Sequence, residues 1–120
     1  MVNPVPKPLF IFTQAPHNNP QAREGVESLL ASAAFDQQPA VLFMGQGVLQ
    51  LVPQGEQPGA KNLNKMLQAL ELYGVEHIYI CRDSLATYAL TPDLLTPSGQ
   101  LIGQDECCQV MQQSQWAVRF

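Results

Sequence analysis

The chain has 120 residues, enough for one domain whose core buries about two-thirds of the surface the unfolded chain exposes. A net charge of −4 with no basic stripe excludes nucleic-acid binding by the chain alone, and no apolar run approaches the ~18 residues of a membrane-spanning helix. Only 13% of the residues are charged, about half the usual share, which leaves much uncharged surface suited to cover by partners.

Residues 1–8 read as an extended tail, because Pro4, Pro6 and Pro8 block helix and ladder bonding. The start lacks the apolar core of a signal peptide, so the expected location is cytoplasmic. Residues 9–120 then form the domain. Leu9 to Thr13 is a continuous apolar run, the mark of a strand covered on both faces. A loop over residues 14–19 follows. Asn19 is placed to cap a helix that opens on Pro20 and presents Ala22, Val26, Leu29, Leu30 and Ala33 on one face.

Ala40 to Met44 is a second buried strand, followed by Gly45-Gln46-Gly47. Residues 48–52 fit either a short helix or an apolar loop, and residues 53–60, with two Pro and two Gly, form a flexible loop. Over residues 61–73, Leu63, Met66, Leu67 and Leu70 share a helical face and Gly74 stands ready as the cap beyond its end. A third strand covers residues 75–80. Cys81 sits at its junction with a helix that carries Leu85, Tyr88 and Ala89 and stops before Thr91-Pro92. Leu101-Ile102 is a fragment of a fourth strand, residues 105–113 a last helix, and residues 116–120 a last strand.

Strands alternating with helices at these spacings predict an α/β fold. It is a single parallel sheet of about five strands with helices on both faces, in flavodoxin-like layering. Loops at the carboxyl ends of the strands carry the sites of such sheets. Three meet there: residues 13–17, 44–47 and 81–84.

The chemistry-bearing residues each have two readings. Cys81, at a strand end and helix start, is either an activated thiol close to unpaired N–H groups or a small buried hydrophobe closing the strand. Its thiolate fraction is expected to exceed that of Cys107 and Cys108, since it alone lies at a helix start. Gly45 and Gly47 either cradle an anion or make a tight turn. His17 is either a base near Cys81 or a solvated loop residue. Arg82 either steadies a thiolate or persulfide anion or is solvated, and Asp83 either orients a partner or caps the helix after it. Cys107 and Cys108, adjacent on a helix, point apart and read as core or interface. Val48, Leu49 and Leu51 either contribute to a subunit contact or fold inward as local core. Three cysteines, an odd number, fit reduced thiols rather than a disulfide framework. Without a Cys-x-x-Cys or a His cluster there is no metal motif, and without a Ser/Thr-rich phosphate loop no flavin or nucleotide motif, so no cofactor is expected.

Four blocks in order resemble one family: residues 12–17 (Phe-Thr-Gln-Ala-Pro-His) with Arg23-Glu24-Gly25, residues 43–51 (Phe-Met-Gly-Gln-Gly-Val-Leu-Gln-Leu), residues 80–85 (Ile-Cys-Arg-Asp-Ser-Leu), and a closing Arg119-Phe120. The set resembles the TusC/DsrF family of DsrE-like sulfur-relay proteins over residues 9–120. The resemblance implies a subunit that joins TusB-like and TusD-like partners in a dimer of heterotrimers. Such a complex passes persulfide sulfur to a TusE-like acceptor, toward 2-thiouridine at the tRNA wobble position. It also implies that Cys81 matches by fold the sulfur-carrying cysteine of the TusD-like subunit. The family's Asp-Gly-Val after the second strand is here Gln46-Gly47-Val48, and Arg82-Asp83 replaces the small residues common after this Cys. The other class open to the residues alone is a small-ligand or regulatory binding domain of flavodoxin-like type built on the Gly45–Gly47 loop.

Overall fold

The computed structural model describes residues 7–16, 20–53 and 62–120. Five strands form one sheet in the order β4-β3-β2-β1-β5: β1 Pro8–Phe12, β2 Ala40–Phe43, β3 His77–Cys81, β4 Gln100–Ile102 and β5 Trp116–Arg119. Every pairing is parallel, with Leu9 beside Ala40, Ala40 beside His77, Tyr79 beside Gln100 and Leu9 beside Ala117. The sheet is therefore the parallel α/β sheet that the alternating apolar runs predict. Pro8, expected in the tail, is the first residue of β1, where a missing N–H is tolerated. Residues 1–6 lie outside the described residues.

Side chains alternate across the strands, so each covered face takes every second residue. Phe10, Phe12, Val41, Phe43 and Ile80 pack under α1 (Pro20–Ala34), a 3₁₀ helix Gly45–Leu51, α2 (Leu63–Leu67) and α3 (Arg82–Thr87), which contribute Val26, Leu29, Val48, Leu51, Leu67 and Leu85. Leu9, Ile11, Ala40, Leu42, Cys81 and Ile102 pack on the other face against Cys107 of α4 (Gln104–Gln113), with Val110 and Met111 at its margin. Helices thus cover both faces, unequally. The cause is topological. The steps from β1 to β4 all move one way across the sheet, and right-handed crossovers keep them on one side. The return from β4 to β5 runs the other way, which puts α4 alone on the opposite side. Among the described residues no helix is long and apolar enough to cross a membrane.

The helix expected over residues 61–73 is shorter. It is α-helical over Leu63–Leu67 and 3₁₀ over Gln68–Leu70, and the turn that follows closes on Gly74, at φ 77°. There the Val75 N–H donates to Leu70 O at 3.1 Å and the Gly74 N–H to Glu71 O at 3.1 Å, the paired bonds of a left-handed helix cap. α3 ends in the same way without a glycine: Leu90 N–H donates to Leu85 O at 2.9 Å while Ala89 is held at φ 53°, at a cost of about 1 kcal/mol.

Of residues 48–52, which fit either a short helix or a loop in sequence, 48–51 belong to the 3₁₀ helix and Val52 caps its end. With three residues per turn, Val48 and Leu51 fall on one side, and both are fully buried in the chain's own core. This corrects the expected subunit contact at Val48 and Leu51. Leu49, on another side of the same helix, is half-buried and is the one of the three with surface to offer.

Candidate functional site

The three loops expected at the carboxyl ends of the strands do converge, held by backbone hydrogen bonds. Met44 N–H donates to Phe12 O at 3.0 Å, joining the ends of β1 and β2. Thr13 N–H donates to Phe120 O at 2.8 Å, and the Thr13 hydroxyl to the same oxygen at 2.9 Å, joining β1 to the last residue. Gly45 N–H donates to Ser84 Oγ at 2.8 Å, joining the end of β2 to the first turn of α3. Gly47 N–H donates to Met44 O at 2.9 Å. Both glycine amides are therefore engaged within the chain. Gly45 is needed for conformation, with φ 55°, whereas Gly47 is needed for space, since a Cβ there would run into the Phe12 carbonyl.

Cys81 lies at the point where the chain changes face. It pairs with Ile102 across the neighbouring strand ends. From there β3 feeds α3 on one side and β4 feeds α4 on the other. A divergence of this kind opens the crevice where parallel α/β sheets place their ligands and reactive groups. The thiol itself is not at the rim. Alternation puts Ile80 toward α3 and Cys81 toward α4, and Cys81 is 2% exposed. The expected outward-pointing thiol is corrected to one packed between the sheet and α4.

There it shares an apolar cluster with Cys107, also 2% exposed. Burial pushes the Cys107 thiol up to about 12, helped by the neighbouring Cys81, Cys108 and Asp83. Cys108, one residue on, is exposed. Arg82 is exposed at the start of α3. His17 lies outside the described residues.

A buried polar cluster beneath this edge carries no signal in the apolar pattern. Gln50, 1% exposed, donates through Nε2 to Gln14 O at 2.9 Å. Asn64 Nδ2 donates to Gln50 O at 2.9 Å and to Thr96 O at 2.6 Å, and Gln68 Nε2 donates to Asn64 Oδ1 at 2.8 Å. These bonds pin the 3₁₀ helix to α2 and to the loop before β4. The only hint in sequence is Gln50 set between Leu49 and Leu51 in an otherwise apolar segment. Gln50 Oε1 has no hydrogen-bond partner among the described residues.

Two measurable consequences follow from the thiols. A coloured disulfide reagent should titrate one thiol of the native chain quickly and the other two only after denaturation, and Cys108→Ser should remove the fast phase. Rapid native labelling of Cys81 would contradict its burial under α4. The second consequence is a loss of stability in alkali. Below about pH 9 the thiol of Cys107 is protonated in both the folded and unfolded chains, and its preference for the protonated form is fully present. Between about pH 9 and 12 the unfolded chain releases a proton that the folded chain keeps, so stability falls by up to about 1.4 kcal/mol per pH unit. Urea midpoints across that range should drop more steeply for the wild type than for Cys107→Ala. Parallel slopes would show that burial is not what holds this proton.

The fold and this edge define a parallel α/β domain with a cysteine at its topological switch point. The chain belongs to the DsrE/DsrF-like family, whose pattern it matches over residues 7–120. It is 34% identical over 107 residues to a protein named TusC homolog from Vibrio parahaemolyticus, a match covering 88% of this chain and 91% of that protein. A TusC homolog of Vibrio vulnificus is 32% identical over 114 residues, covering 92% and 96%. In structure the chain is similar to the YchN protein of E. coli, with a TM-score of 0.82 over 96% of this chain and 99% of that one. At 16% identity that likeness speaks for the fold alone.

Proposed function

We propose that the chain is the TusC-like subunit of a sulfur-relay complex. In this reading it sits with TusB-like and TusD-like subunits in a dimer of heterotrimers. Together they pass persulfide sulfur to a TusE-like acceptor, toward 2-thiolation of the wobble uridine of tRNA. The observation that carries the reading is the near full-length match to TusC homologs by a chain that keeps a cysteine at the switch point. Cys81 is the residue of this chain that bears sulfur, and exchange there requires α4 to shift, because the thiol lies beneath it. Arg82, exposed beside it, supplies a cation to a persulfide anion when the crevice opens. Half-buried Leu49 gives the partners an apolar contact next to the strand ends. The small-ligand alternative is weakened because the amides of Gly45 and Gly47 already donate within the chain.

The experiment is co-expression with TusB-like and TusD-like proteins from the same genome, with 2-thiouridine measured in tRNA from cells lacking the endogenous subunit. A stable complex of the three and restored thiolation are expected. A chain that purifies alone and restores nothing would sink the reading. Cys81→Ser with full thiolation and full sulfur loading would remove Cys81 from it.

A further inference from the structure

The amino ends of β1, β2 and β3 meet at the edge of the sheet opposite the loops around Cys81. His77 opens β3 and Cys81 closes it, so the two edges are roughly 13 Å apart at about 3.3 Å per residue. A cavity of about 130 Å³ lies at the amino edge, lined among others by Lys7, Asp36, Gln38, Tyr73, Glu76 and His77. Lys7 stands before β1, Gln38 before β2 and Glu76 before β3, and these strands are neighbours in the sheet. Two helix ends flank the cavity, and each leaves an apolar side chain in water. Phe35, 81% exposed, precedes Asp36, and Leu72, 90% exposed, precedes Tyr73. Neither helix end is frayed. After α1 the Asp36 N–H donates to Ala33 O at 3.0 Å, the Gln37 N–H to Ser32 O at 3.1 Å, and the Ser32 hydroxyl to Gln37 Oε1 at 2.6 Å. The Tyr73 N–H donates to Ala69 O at 3.2 Å, ahead of the cap at Gly74. Single exposed apolar residues are ordinary, but apolar side chains held in water on both sides of one cavity, with charge around them, mark a contact surface. The charge is acidic. Asp36, Glu71 and Glu76 stand against Lys7, whose Nζ donates to Gln38 Oε1 at 3.1 Å.

We propose that this edge docks a partner subunit of the complex, which seats an arginine in the cavity and covers Phe35 and Leu72 with apolar side chains. The residue type follows from the lining. The carboxylates of Asp36 and Glu76 call for a cation and repel an anion. A planar guanidinium donates to carboxylates and stacks on rings such as those of Tyr73 and His77, which suits it better than a lysine ammonium. A free small cation would leave Phe35 and Leu72 in water, whereas a protein that carries the arginine accounts for both halves of the surface. A second copy of this chain fits less well. Its Arg23 is paired with Glu27 at 3.0 Å, and Arg82 and Arg119 lie at the carboxyl ends of β3 and β5. Seating either of those here would stack copies head to tail and cover the candidate site of each. A different partner held at the amino edge leaves the loops around Cys81 free. It also gives the chain a contact separate from Leu49, as a subunit with two different neighbours requires. The identity of the occupant rests on the proposed reading of the chain as part of that complex.

The test is co-expression of the tagged full chain with TusB-like and TusD-like proteins from the same genome. The wild type is set beside Phe35→Ser/Leu72→Ser and Asp36→Asn/Glu76→Gln. All of these positions are exposed, so unfolding midpoints by circular dichroism should match the wild type. Recovery of one partner on the tag should fall by about tenfold or more in each double variant. Photoreactive p-benzoylphenylalanine in place of Leu72 should cross-link to that partner, within a segment that contains an arginine. Changing that arginine to alanine should give the same loss. A wild-type chain that recovers neither partner would sink the relay reading and this surface with it. A wild type that assembles, with both double variants assembling equally well, would overturn the surface alone and leave the relay reading standing. So would a cross-link only to a second copy of this chain. Loss of the partner from Phe35→Ser/Leu72→Ser but not from Asp36→Asn/Glu76→Gln would overturn the seated arginine.

Discussion

Gly47→Ala is expected to destabilise the chain by about 3 kcal/mol or more, at the upper end of what overpacking costs. The added Cβ would fall onto the Phe12 carbonyl and within 3.0 Å of Thr13 N. Neither side can yield cheaply. The Phe12 oxygen accepts the Met44 N–H at 3.0 Å, and the residue pairs in register with Phe43. Its ring, fully buried, stacks on Phe43 at 5.3 Å and on Phe120 at 5.9 Å. Relief would have to come from moving the 3₁₀ helix off the end of β1, which would uncover Val48 and Leu51. Gly45→Ala is the control. Its nearest obstacle is Thr13 O at 3.9 Å, so only its φ of 55° is penalised, at about 1 kcal/mol. Urea unfolding of the two variants checks the ordering, and equal losses would mean that close approach is not the role of Gly47.

Strands β1 and β2 were legible because a strand covered on both faces leaves no polar position within it. Leu9 to Phe12 and Ala40 to Phe43 are buried without interruption. The helix cap at Gly74 was legible for a local reason, since a left-handed residue after an apolar periodic run favours glycine. What escaped was non-local or of the wrong period. Cys81 was correctly placed on the junction, but its burial depends on α4, which begins more than twenty residues later and reaches β3 only through the crossover to β5. Strand alternation alone assigns Cys81 to the face opposite Ile80, and nothing local says that this face is covered. Residues 48–52 escaped because a 3₁₀ helix repeats every three residues, so neither the helical nor the strand pattern describes its apolar side. The polar cluster of Gln50, Asn64 and Gln68 escaped because its bonds join elements separated by residues of no fixed spacing.

Leu51→Asp is expected to abolish the native fold, while Leu49→Asp, two residues away, leaves it intact. Leu51 is fully buried among Val48, Leu67 and Leu85, and its carbonyl accepts the Thr96 N–H at 2.8 Å. A carboxylate placed there enters the apolar surroundings of that cluster, so it must be buried unpaired or carry a proton, at a cost of several kcal/mol either way. That is comparable to the whole stability of a small domain. Leu49 is half-buried, so an aspartate there can keep its charge in water, with an expected cost near 1 kcal/mol or less. Thermal unfolding by circular dichroism separates the two, with a cooperative transition for Leu49→Asp and none for Leu51→Asp. The same pair then bears on assembly. A folded Leu49→Asp chain that no longer co-purifies with TusB-like and TusD-like proteins would assign the apolar contact to this turn of the 3₁₀ helix. Normal assembly would move that contact elsewhere on the surface, and a cooperative native transition for Leu51→Asp would contradict the core that the structure builds around it.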